Sequence, residues 1–70
     1  MTLTGAVASE EELRRRIEKD PDDATALDAL GLLLRNAGEV NAALDCFKKA
    51  VMAEPDHIEA HLHMAETLLD

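Results

Sequence analysis

The chain is expected to fold as an all-α protein of antiparallel helical hairpins, on three observations. Its apolar mass is mostly Ala and Leu, both strong helix formers. Strand-favouring residues are sparse: Val7, Ile17, Val40, Val51, Ile58 and a few Thr. Apolar positions recur every three or four residues in successive stretches, each ended by a helix-stopping signal.

Residues 1–8 read as a flexible lead-in and residues 9–70 as a single helical domain. The first helix starts at Ser9, whose hydroxyl can accept from the first turn, with Glu12 three residues on as in a capping box. Its apolar stripe is Leu13 and Ile17, and Asp20-Pro21 stops it, because the residue before a proline disfavours helical angles. Asp22 or Asp23 caps the second helix, which aligns Leu27, Leu30, Gly31 and Leu34 on one face. Gly38, after Asn36-Ala37, suits the left-handed residue that closes a helix. The third helix begins at Val40 to Asn41, carries Val40, Ala43, Leu44, Phe47, Ala50 and Val51, and stops at Glu54-Pro55. Asp56 is expected to cap a fourth helix, with Glu59 three residues later and a stripe of Ile58, His61, Leu62, Ala65, Leu68 and Leu69.

Composition narrows the function classes. The formal net charge is −8, which disfavours nucleic acid and anionic membranes as partners and is compatible with a basic protein. The longest apolar run, Ala29 to Leu34, is far short of the roughly 20 residues that span a bilayer. Residues 1–8 carry no Lys or Arg and too short an apolar stretch for a secretory signal, so a cytoplasmic location is expected. Cys46 is the only cysteine, so no internal disulfide can form, and a free thiol stays reduced in that compartment.

An internal period underlies the pattern. Pro21 and Pro55 stand 34 residues apart, each between acidic residues. At the same offset Leu13 matches Phe47, Ile17 matches Val51, Leu30 matches Met64, Gly31 matches Ala65 and Leu34 matches Leu68. A period of this length marks stacked helical units.

Leu27, Leu30-Gly31, Leu34, Ala43, Phe47, Ala50 and Pro55 together resemble the tetratricopeptide repeat, with Leu27 and Leu34 in place of the usual aromatics. The resemblance implies a superhelix of hairpins, here one full repeat over about Ala24 to Asp56 flanked by two half repeats. It implies no catalysis and no cofactor, and a role as a protein-interaction scaffold. It also implies a groove lined by the first helix of each pair, with Thr25, Asp28, Leu32, Arg35 and Asn36 from one helix and Glu59, Leu62, Glu66 and Leu69 from the next. Asp28 and Leu32 stand where relatives that clamp an acidic peptide terminus carry Lys and Asn, so a basic or amphipathic helix is the better-suited partner.

A stacked repeat buries its apolar face only against a neighbour. Both ends are open here, so self-association is expected through Leu13 and Ile17 at one end or Leu62, Leu68 and Leu69 at the other. An isologous dimer is the favoured form; open head-to-tail stacking and helix exchange are the alternatives. The same leucines serve either that interface or the groove.

Other motifs read as ordinary surface. Arg14, Arg15 and Arg16 follow Glu10, Glu11 and Glu12 by four residues, the spacing of helix ion pairs, each contributing about 0.2–0.5 kcal/mol. His57 and His61 share one helix face and could take one metal ion or make an interface pH-responsive, while His63 points elsewhere. The ligand set is incomplete, so no metal is assigned. Cys46 reads as a packed or half-exposed small apolar residue.

Overall fold

The computed structural model describes residues 9–69; the expected lead-in, residues 1–8, and Asp70 lie outside the described residues. Those residues form four helices and no strand: α1 (Glu10–Lys19), α2 (Ala24–Asn36), α3 (Val40–Ala53) and α4 (Ile58–Leu69). Helix α2 is central. It packs against α1, α3 and α4, most extensively against α3.

The helix ends follow local chemistry. The Glu12 N–H donates to Ser9 Oγ at 3.2 Å, and the Ala26 N–H donates to Asp23 Oδ1 at 3.0 Å, so Asp23 rather than Asp22 caps α2. Helix α2 closes on Gly38 at φ +86°, with the Glu39 N–H reaching the Leu34 carbonyl at 2.9 Å. A side chain would strain that left-handed position.

The 34-residue period is visible in the backbone. Asp20 and Glu54 end α1 and α3 at nearly the same angles, φ −141° and ψ 92° against φ −135° and ψ 91°. One turn later the Asp23 N–H donates to the Asp20 carbonyl and the His57 N–H to the Glu54 carbonyl, each at 3.0 Å. The fourth cap departs from expectation. It is His57 that caps α4, accepting from the Ala60 N–H at Nδ1 at 3.1 Å, because His57 and not Asp56 stands one period after Asp23.

The core lies where α2 crosses its neighbours. Leu13, Ala26, Leu30, Leu34, Ala43 and Phe47 form one buried cluster, and Ala24, Leu27, Ala50 and Ala60 form a second. The Phe47 ring is fully buried against Gly31. A Cβ at Gly31 would lie 2.7 Å from Cδ1 and 2.9 Å from Cζ of that ring, and closer still to Cε1. Glycine at position 31 is therefore what lets α2 and α3 cross with an aromatic between them.

The expected α1 stripe is the buried side of that helix, but its interface role and the α3 stripe need correction. Leu13 is no interface residue: at 2% exposure it belongs to this chain's own core, covered by α2, while Ile17 is half-buried beside it. On α3, Ala43, Phe47 and Ala50 are buried, but Val40 at the first turn is exposed and Leu44 and Val51 are half-buried. On α3 the buried face is set by the small residues and the ring, not by the aliphatic side chains of Val40, Leu44 and Val51.

Candidate partner-binding surface

Helix α4 turns its expected stripe away from the rest of the chain. Ala60 and Thr67 are buried and His63 and Met64 half-buried, whereas Ile58, His61, Leu62, Ala65, Leu68 and Leu69 are exposed. The exposure is large: 80% for Ile58, 66% for Leu68 and 87% for Leu69. The reason lies in the repeat. On α2 the positions equivalent to His61, Ala65 and Leu68 are Leu27, Gly31 and Leu34, all buried, and α3 is the helix that packs most extensively on α2. Among the described residues no helix follows α4. Ala60, one period after Ala26, instead faces inward as Ala26 does.

Ile58, Leu62, Ala65 and Leu69 follow one another at helical spacing along α4 and Leu68 stands one turn from Ala65, all exposed, as are Glu59 and Glu66. Away from α4, the described residues expose only two large aliphatic side chains, Val40 and Met52. The opposite end is different in kind. The free side of α1 carries Glu12, Arg15, Arg16 and Lys19, all exposed, and needs no cover.

The expected groove set divides on inspection. Thr25, Asn36, Glu59 and Leu62 are exposed, and Leu32 is half-buried against the core. Asp28, Arg35 and Glu66 are engaged within the chain. Asp28 is buried and accepts from the Nδ1–H of His63 at 2.8 Å. Arg35 reaches Glu66 Oε1 at 3.5 Å and Thr67 Oγ1 at 3.4 Å, and that hydroxyl donates to the His63 carbonyl at 2.7 Å. These ties hold α4 beside α2. Asp28, expected to face the groove, is thus sealed under α4, because two parallel first helices lie close enough for a carboxylate and an imidazole to meet. The signal that could have found the pairs is separation: Asp28 and His63 are 35 residues apart and Arg35 and Glu66 are 31 apart, both about one period.

The three histidines take separate partners. His57 caps α4, the His61 Nε2–H donates to the Pro55 carbonyl at 2.6 Å, and His63 pairs with Asp28 while its ring sits 5.9 Å from that of Phe47. His57 and His61 therefore do not converge on a common point. Among the described residues no group of three or more His, Cys, Asp or Glu is arranged to hold a metal ion.

On α1, Glu10 and Arg14 form the expected i,i+4 ion pair at 2.8 Å, but Arg16 reaches across to Asp23 at 3.2 Å instead of back to Glu12. Between α1 and α3 lies a cleft of about 340 Å³, floored by Leu27 and Leu30 and rimmed by Arg14 and Lys49. Cys46 lines it, half-buried. Burial pushes its thiol above the ordinary value; Lys49 and Arg14 oppose that rise and Asp45 adds to it. A thiol held protonated in this way is a poor nucleophile.

Comparison with known proteins agrees with this architecture. The tetratricopeptide-repeat family pattern matches residues 24–67. The chain is 38% identical over 69 residues to a probable biofilm formation methyltransferase, WspC, of Pseudomonas putida; the match covers 94% of this chain and 16% of that protein. No solved structure matches the chain. No helix of the described residues is long and apolar enough to cross a membrane. With the pattern spanning more than half of the chain, on helices that repeat at its period, the chain belongs to the tetratricopeptide-repeat family.

Proposed function

We propose that this chain is a non-catalytic protein-interaction module whose open α4 end receives a helix from a protein partner. The carrying observation is the contrast between Leu34, buried where α3 packs on α2, and Leu68, its equivalent one period later, exposed on a helix that also exposes Ile58, Leu62 and Leu69. Repeats of this family generally mediate protein–protein contact, which supports the class of function. The acidic balance of the chain and the carboxylates of Glu59 and Glu66 on α4 favour a helix with basic flanks. Leu62, Leu68 and Leu69 supply the apolar contact in this reading. Thr25, Asn36, Glu59 and Glu66 supply polar contacts, and the setting is cytoplasmic. The relative is named a methyltransferase, and a place beside such an enzyme is the context that name suggests for this module.

The test is calorimetric titration with a synthetic amphipathic Leu/Lys helix of about 20 residues. Binding is expected, weaker at high salt, and lost in Leu68→Glu while the circular dichroism of the chain stays the same. No heat of binding with the unsubstituted chain contradicts the proposal.

A second reading is favoured by the concentration of exposed aliphatics on one helix: two copies meet α4 to α4 as an isologous dimer. Sedimentation equilibrium decides it. A dimer mass that falls to monomer in Leu62→Glu/Leu69→Glu supports this reading, and a monomer at high concentration removes it.

A further inference from the structure

We infer that the cleft between α1 and α3 is a binding site for a small amphiphilic monoanion, a medium-chain carboxylate whose tail lies on Leu27 and Leu30 and whose head meets Lys49 and Arg14. The site is separate from the exposed residues of α4 and goes beyond the protein-interaction role.

The cleft exists because two helices share a support without touching. Helices α1 and α3 each pack on α2 but not on each other, whereas α2 and α4 do meet. The gap between α1 and α3 is therefore left to side chains. Ile17 enters it from α1 and Cys46 from α3, both half-buried, and Leu27 and Leu30 of α2 form the floor. Walls and floor are all supplied by α1, α2 and α3. The volume of about 340 Å³ is at the lower end for ligand sites. At the roughly 30 Å³ that one water takes in the liquid, it holds about eleven non-hydrogen atoms, a small molecule and not a helix.

The chemistry of the lining selects the ligand. The floor is aliphatic, which suits an unbranched apolar tail. The rim carries two cations, Arg14 and Lys49, and one carboxylate, Glu18, in a chain whose net charge is −8. Lys49 has no carboxylate at ion-pair distance among the described residues. Glu10 Oε2 takes Nε and Nη2 of Arg14, which leaves Nη1 for a further acceptor. Cys46 reports the field inside the cleft. Burial pushes its thiol up and Asp45 adds to that, but Lys49 and Arg14 both act the other way. Negative charge at the depth of that sulfur is thus favoured by both rim cations. Glu18, one turn after Arg14 on α1, restricts the head to a single negative charge.

The probes are octanoate, octanol and octylamine, which share a tail and differ in head charge. Each is titrated, below its aggregation concentration, into the methyl-labelled chain and followed by NMR. A ligand of about ten non-hydrogen atoms should bind in the millimolar range or tighter. The expected result is saturable shifts of the Ile17, Leu27 and Leu30 methyls, with octanoate at least about fivefold tighter than the other two. Lys49→Glu should remove that advantage with the circular dichroism unchanged, and Leu68→Glu should leave it intact. Equal affinities for the three heads, or an advantage that survives Lys49→Glu, overturn the inference. So do shifts confined to Leu62, Leu68 and Leu69, or no saturable shift at all. None of these outcomes touches helix docking on α4, which fails with Leu68→Glu and not with Lys49→Glu.

Discussion

Helices α2 and α4 are the same element met twice, 34 residues apart, in opposite surroundings. Both are capped by the residue three before an alanine that faces inward, Asp23 before Ala26 and His57 before Ala60. On α2 the face bearing Leu27, Gly31 and Leu34 is closed by α3; on α4 the equivalent His61, Ala65 and Leu68 have no such cover among the described residues, while Met64 packs against the core. The sequences of the two faces are alike enough to belong to one pattern. What separates a buried face from an exposed one in this fold is therefore the next helix, not the composition of the face itself.

The sharpest way to break the comparison is at the residue that makes α2 different. Phe47→Ala removes the ring that fills the α2–α3 crossing and should cost about 3–5 kcal/mol, enough to unfold so small a chain; a cooperative urea transition for this variant near the unsubstituted midpoint would contradict the assignment. Leu34→Ala and Leu68→Ala then form a matched pair. The first should lower stability by about 2–5 kcal/mol and the second by no more than about 0.5 kcal/mol, both read from urea midpoints. Equal losses would mean that α4 is covered in solution.

Smaller effects refine the contrast. Gly31→Ala forces a Cβ into the Phe47 ring and should destabilise by about 1–3 kcal/mol although alanine is the better helix former. The smallest effect is at the caps. His57→Asp restores at α4 the acceptor that Asp23 provides at α2, and should raise the urea midpoint by the equivalent of about 0.5 kcal/mol at neutral pH.

Much of this fold can be read before any coordinates exist. Pro21 and Pro55, Gly38 and the stripe from Leu27 to Leu34 each encode a local rule, and each rule acts within a few residues of chain. The cap at α4 follows the period to His57 and not the local preference for Asp56, since position within the repeat fixed the turn. The internal ties of Asp28, Arg35 and Glu66 were not legible from either helix alone, because they depend on how two helices a full period apart lie side by side. Leu13 illustrates the same limit. It reads as an end residue until α2 is seen to enclose it. The exposed residues of α4 lie between these cases: Leu62, Leu68 and Leu69 are evident in the sequence as uncovered, but the depth of the contrast with Leu34 needed the α2–α3 crossing for comparison.

The central claim is that, among the described residues, the face of α4 lacks the covering helix that α2 has, and it is tested most directly by supplying one. Appending a second copy of residues 37–53 after Asp70 keeps the period and places a copy of α3 next to α4, with Ala65→Gly making room for its ring. Urea unfolding of this extended chain should show a higher midpoint and a steeper denaturant dependence than the unextended Ala65→Gly chain, because additional apolar surface is buried in the same cooperative unit. An extension that leaves both midpoint and slope unchanged would contradict the account.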